Sequence, residues 1–189
     1  MRVIAGQYRS RRLRSLRGKD IRPTSDRLRE TLFDVLCAGN PHALAGTIWL
    51  DLYAGTGAVG IEALSRGARS VHFVDSSKQG GKLIEDNLKS LAIANGFQVL
   101  KATVASALRQ LEAAGVTADF IFLDPPYRMR EEYAITLAAL AASSVLRESS
   151  VAIAEHEKKF DPGADFGHLI RYRKLAQGDG ALSFYRRSL

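Results

Sequence analysis

The sequence has a single cysteine, Cys37, in 189 residues. No internal disulfide framework is possible, and the expected setting is a reducing one, the cytoplasm. No apolar run approaches the ~18 residues that a membrane span needs. The first residues, MRVIAGQYRSRRLRSLRGKD, are basic but lack an apolar stretch and a small-residue cleavage site, so no secretory signal is expected. There is no internal repeat, no low-complexity tract and no long linker. The four histidines are scattered, and with one cysteine they form no metal-ligand spacing. Each histidine is expected to be structural or superficial. Cys37 falls on the apolar stripe of an expected helix and reads as core rather than nucleophile.

Excess charge is absent from most of the chain. Residues 1–30 hold ten Lys/Arg and three acids, which accounts for the whole net charge of +7. The rest is formally neutral. A basic end fits a polyanionic partner, most simply nucleic acid, or a solvated cationic arm. Arg9, Arg11, Arg12, Arg14, Arg22 and Arg27 are the candidate phosphate contacts.

What is present is a regular alternation. Residues 1–20 alternate loosely and are expected to form a small basic hairpin or arm, ahead of one domain over 21–189. RPTSDRLRETLFDVL begins with Thr24, Ser25 or Asp26 as N-cap and continues on a helical stripe of Leu28, Leu32, Phe33, Val35 and Leu36. Buried-strand runs follow at 47–53, 70–75, 97–102, 119–124 and 150–156. Helical patterns separate them, including Lys78–Asn95 and Glu131–Ala142. The end reads as two strands around Gly178-Asp179-Gly180. Strands alternating with helices predict an α/β fold, a doubly wound and mostly parallel sheet closed by a C-terminal antiparallel hairpin.

Three of the expected strands carry an acid toward one edge of the sheet: Asp51, Asp75 and Asp124. Ligands of open α/β sheets bind beyond that edge. DLYAGTGAVG supplies Gly55, Gly57 and Gly60, which permit a tight turn and close approach to the backbone. Glycines alone also fit a turn without ligand, or a nicotinamide dinucleotide site. Asp75 ends the next strand where a ribose-binding acid belongs, which favours a nucleoside-bearing cofactor without saying which one.

The stretch FLDPPY, Phe122 to Tyr127, narrows the choice. Amino groups on bases are conjugated and poorly nucleophilic. A carboxylate and a neighbouring carbonyl that accept both hydrogens would hold the nitrogen lone pair toward an electrophilic methyl group. Pro125 and Pro126 restrict the backbone, which leaves the Pro125 carbonyl free of the sheet. Tyr127 offers a stacking face to an extruded base. The plainer alternative is a strand-ending turn with a buried tyrosine.

Taken together, RVIAGQYRSRRL, RPTSDRLRETLFDVL, DLYAGTGAVGIEALSRGA, FVD, DFIFLDPPY and GDGALSFYRR resemble the RsmD-type 16S rRNA (guanine-N2)-methyltransferases over nearly the whole chain. The resemblance implies a class I, Rossmann-like methyltransferase with seven strands, using S-adenosyl-L-methionine and no metal. It implies a guanine of small-subunit rRNA as target, within the small subunit or an assembly intermediate, and a monomeric enzyme. By position, Tyr53, Ala54, Gly55, Thr56, Gly57 and Ser76 would line the cofactor, Asp51 would lie near its amino end, and Asp75 would bind the ribose. Asp124, Pro125, Pro126 and Tyr127 would hold the guanine amino group, with Thr24, Ser25, Asp26 and Arg27 beside the pocket. One departure stands out. No acid lies between Phe97 and Leu111 to meet the cofactor adenine, which leaves Thr103, Ser106 or a backbone N–H for that role. Competing functions are an amino-methyltransferase of DNA acting on adenine or cytosine, and a non-catalytic RNA-binding assembly factor. An NAD oxidoreductase is a more distant alternative.

Overall fold

The computed structural model describes residues 1–15, 26–126 and 128–188. The elements run α1 (Asp26–Leu36), β1 (Ile48–Leu52), α2 (Ala58–Ser65), β2 (Ser70–Val74), α3 (Lys78–Ser90), β3 (Phe97–Leu100), α4 (Val104–Ala113), β4 (Ala118–Leu123), α5 (Glu131–Ala142), β5 (Leu146–Glu157), β6 (Leu169–Gln177) and β7 (Gly180–Arg187). One sheet has the order β3-β2-β1-β4-β5-β7-β6. β1 to β5 are mutually parallel, while β7 runs antiparallel between β5 and β6. The expected α/β fold with a C-terminal antiparallel hairpin is therefore present. No helix among the described residues is long and apolar enough to cross a membrane.

Alternation along the strands sends side chains to two separate cores. One face buries Trp49, Phe73, Phe122, Ile153 and Phe184 against Leu28, Leu32 and Phe33 of α1, Ile61 of α2 and Ile84 of α3. The other buries Leu50, Leu52, Val74, Ile121, Leu123 and Ala154 against α4 and α5, through Leu108, Leu111, Tyr133 and Leu137. Both faces are covered, which explains why β1 and β4 read as continuous apolar runs.

Residues 1–15 turn back on themselves through an Arg2–Arg12 bridge and bury Val3 and Leu13 in the first core. Their anchor is Glu62 of α2, fully buried, which accepts from the Ile4 and Ala5 N–H groups at 2.7 and 2.9 Å and from Arg66 Nε at 2.8 Å. Some boundaries differ from the sequence expectation. α3 stops at Ser90 rather than Asn95, because Ala92 turns left-handed at φ 57°. β5 begins at Leu146 rather than 150, across a register shift opposite β4. Thr24 and Ser25, two of the three candidate N-caps of α1, lie outside the described residues.

Candidate active site

Strand order reverses between β1 and β4, and the carboxyl ends of these strands open into a cavity of about 560 Å³. That size suits a ligand somewhat larger than a nucleoside. Its walls come from the glycine loop after β1, the end of β2, the start of α4, the segment after β4 and the outer face of α5.

The glycine loop forms because its backbone needs conformations that side chains resist. Gly55 and Gly57 have φ of 54° and 74°. A Cβ on Gly57 would crowd Phe73 and Ile84 at 3.3 Å, and one on Gly60 would sit 2.3 Å from Phe73. Gly60 thus lets α2 lie close on the sheet. Its N–H donates to Asp51 at 2.9 Å. Asp51 is almost fully enclosed, and that burial pushes its carboxyl up to about 7, with a smaller upward contribution from Asp75.

Asp75 accepts from Gly55 N–H at 2.9 Å and from Ser77 N–H at 2.8 Å, which fixes its carboxylate at the cavity wall. Gly80 makes room for it, since a Cβ there would stand 2.5 Å from Asp75 Oδ1. The sequence carried that signal as paired glycines, Gly80-Gly81, inside a helix that disfavours them.

Asp124 follows β4, and Pro125 is buried beside it. No backbone N–H among the described residues reaches the Pro125 carbonyl. The register pairs Asp51 with Phe122, and Leu123 with Ala154. Asp51, Asp124 and Glu155 therefore stand in adjacent rows on one face of the sheet. Burial raises the Asp124 carboxyl well above its usual range, and the charges of Glu155 and Asp51 push the same way. Glu155 is buried, and its carbonyl accepts from Tyr133 O–H at 2.7 Å. Nothing local in the sequence singles it out, because only strand pairing sets it beside Asp124.

Asp51, Tyr53, Ala54, Gly55, Thr56, Asp75, Ser76, Asp124, Pro125 and Pro126 all line the cavity. Gly57 does not; it caps α2 instead. Thr24 and Tyr127 lie outside the described residues. Thr103 and Ala105 also line the wall, whereas Ser106 does not and donates its N–H to Thr103 at 3.3 Å. Four further wall residues, Met129, Glu132, Ile135 and Thr136, went unnoticed in the sequence. The Tyr53 hydroxyl joins Glu132 at 2.9 Å and Thr136 at 2.7 Å, tying the glycine loop to α5. Asn87 was missed too. Its Nδ2 donates to the Thr56 carbonyl at 2.9 Å and the Arg14 carbonyl at 3.1 Å, so it joins the loop to the N-terminal segment.

Of the candidate phosphate contacts, Arg9, Arg11, Arg12, Arg14 and Arg27 are exposed, and Arg22 lies outside the described residues. Arg11 donates to the Ser90 carbonyl at 3.1 Å. The histidines behave as structural or surface groups. His156 is buried between the Glu157 carbonyl and the Ser183 hydroxyl, and His72 bonds Gln98. Cys37 is half-buried against the first core, just beyond α1.

A seven-stranded sheet with β7 reversed beside β5, a glycine loop after β1 and acids at the ends of β2 and β4 defines the class I methyltransferase type of fold. The chain belongs to the family described as Conserved hypothetical protein 95, whose model matches residues 1–186. The YlbH protein of Bacillus subtilis is 33% identical over 187 residues, 99% of either chain. A Haemophilus influenzae protein named ribosomal RNA small subunit methyltransferase D is 34% identical over 160 residues, 84% of this chain and 79% of that one. The solved structure of the yhhF protein of Escherichia coli matches with a TM-score of 0.78 at 30% identity, over 99% of this chain and 97% of that one.

Proposed function

We propose that this protein methylates the exocyclic N2 of one guanine in small-subunit (16S) ribosomal RNA, using S-adenosylmethionine, in the cytoplasm. The preferred form of the RNA is the small subunit or an assembly intermediate. The observation that carries this reading is Asp124, half-buried at the strand-order switch and lining the same cavity as the glycine loop and Asp75. Similarity to a protein named ribosomal RNA small subunit methyltransferase D supports the choice of RNA. The basic N-terminal residues support it independently.

The residues present fit the cofactor. Each oxygen of the Asp75 carboxylate accepts one backbone N–H, which leaves lone pairs for two ribose hydroxyls. The Gly55 backbone admits close approach. Asp51 and Asp124 supply negative charge that a cationic ligand would stabilise. S-adenosylmethionine supplies a methyl group activated by a positively charged sulfur.

In this scheme Asp124 and the Pro125 carbonyl each accept one N2 hydrogen, which points the nitrogen lone pair at the methyl carbon. The sulfur–carbon bond breaks as the nitrogen–carbon bond forms, and one N2 proton must leave. A carboxyl raised by burial and by Glu155 is suited to take that proton. Positioning and electrostatics carry the acceleration.

Asp124→Ala is expected to cut methyl transfer at least ~1000-fold, while S-adenosylhomocysteine binding by calorimetry changes only slightly. Labelled cofactor offered with ribosomal small subunits, naked rRNA and DNA should mark RNA, and the labelled nucleoside should be N2-methylguanosine. Retained turnover in the variant, or label on DNA alone, would overturn the proposal.

A further inference from the structure

Three large hydrophobic side chains are exposed among the described residues: Met129, Ile135 and Tyr172. The first two line the cavity. Tyr172 stands elsewhere, on the edge strand β6, with almost half of its surface in solvent. The β6–β7 ribbon around it is basic. Residues 169–188 hold Arg171, Arg173, Lys174, Arg186 and Arg187 against one acid, Asp179. The formal neutrality of the chain after residue 30 conceals this local excess.

The ribbon's cations divide by face. Arg171 and Lys174 pair with Asp161 at 2.6 and 3.2 Å, and Arg187 donates to the Ala141 carbonyl at 3.3 Å. Arg173 and Arg186 remain, and both are exposed. The register between β6 and β7 slips by one residue between Arg171 and Arg173, which makes Tyr172 the extra residue of a bulge. Beyond the slip Arg173 pairs with Phe184, and the Tyr172 ring lies 6.3 Å from the Phe184 ring, with the Arg186 guanidinium 4.5 Å over it. Tyr172, Arg173 and Arg186 thus share the sheet face that α1 covers further along. At the ligand edge Thr31 of α1 bonds Gln177, and exposed Arg27 lies one turn earlier. From Gln177 to Tyr172 is five residues of strand, roughly 17 Å, room for several consecutive phosphates.

Cations on an edge strand also deter sheet-to-sheet pairing, and solvated arginines need no partner. Neither account covers the whole cluster. Arg186 is on β7, which is interior to the sheet, and an exposed aromatic ring does nothing to discourage association. A half-exposed ring carrying one guanidinium, with a second exposed arginine next to it in the strand, matches the pairing of base stacking with phosphate attraction in single-strand binding.

We propose that Tyr172, Arg173 and Arg186 form a second RNA contact, which holds an unpaired rRNA segment flanking the target base. This rests on the proposed rRNA substrate. The test uses the full chain and unmodified 16S rRNA, naked and in small-subunit particles. Tyr172→Ala should weaken binding to naked rRNA about tenfold, and Tyr172→Phe should not. Arg173→Gln combined with Arg186→Gln should lower the log–log salt slope by about 1.4, two cations at ~0.7 each. Melting temperature and S-adenosylhomocysteine affinity should stay at the parent's values in all three. The arginine variant keeps the test open if Tyr172→Ala folds poorly. Unchanged rRNA affinity in folded variants overturns the proposal. So does self-association without loss of RNA binding, which would make the cations edge protection. A loss confined to particles also overturns it, since the partner would then be a ribosomal protein. If the unsubstituted protein binds neither form of RNA, the rRNA substrate itself is wrong.

Discussion

Burial holds the Asp51 carboxyl at about 7, although the Gly60 N–H donates to it. In the unfolded chain the same group ionises near 4. A folded-state pKa raised above the unfolded one gives stability that is present below pH ~4 and lost as pH rises to about 7. The ligand-free protein therefore carries a growing electrostatic burden toward neutral pH. Asp51→Asn, whose amide oxygen can still accept from Gly60, is expected to stabilise the ligand-free protein by about 4 kcal/mol at pH 8. The gain should shrink toward zero near pH 4. Thermal melts across that range check it; a gain independent of pH would assign the effect to packing instead. S-adenosylhomocysteine affinity should fall in the same variant, because the proposed site uses that charge at the cofactor's amino end. Asp51, Asp75 and Asp124 stand out in the sequence because each acid interrupts or ends an apolar run. Glu155 and Asn87 do not, because what makes them notable is a neighbour far along the chain.

At the scale of elements, the contact of residues 1–15 with α2 turns on Gly6. Its φ is 78°, and a Cβ there would lie 1.9 Å from the Ser65 carbonyl oxygen. Backbone cannot yield as a flexible side chain can. Gly6→Ala should therefore detach this segment from Glu62 and Ser65 while the sheet stays folded. Tryptic cleavage after Arg9, Arg11 or Arg12 is expected to accelerate at least ~10-fold, with far-UV circular dichroism little changed; unchanged cleavage would show that the segment can shift as a unit. Strand and helix identities were legible because a run of apolar residues and a 3.6-residue stripe are local properties. The end of α3 was not. Nothing between Ser90 and Gly96 breaks a helix by type, and the stop at Ala92 reflects the turn that delivers Phe97 to β3. The polar Arg147, Glu148 and Ser149 hide the start of β5 in the sequence pattern, yet the strand extends through them at its exposed start.

Across the whole molecule, the exposed arginines of residues 1–15 and the β6–β7 ribbon lie outside the cavity. Changing Arg9, Arg11 and Arg12 together to Gln is expected to lower the salt slope of rRNA binding by about 2, three cations at ~0.7 each. Cofactor affinity should hold. Filter binding between 50 and 300 mM salt reads this directly, and an unaltered slope would leave these residues as a solvated face. The excess charge of residues 1–30 was plain from composition alone. So were the alternating elements, the glycine loop and the acids at the strand ends, because each is written in consecutive residues and obeys local geometry. Tertiary structure alone decided three things. It placed β7 between β5 and β6, set Glu155 beside Asp124, and brought Tyr172 under Arg186. Each depends on which strands pair and in what register. That choice is made by packing residues tens of positions apart into two shared cores, and no short stretch of sequence contains it.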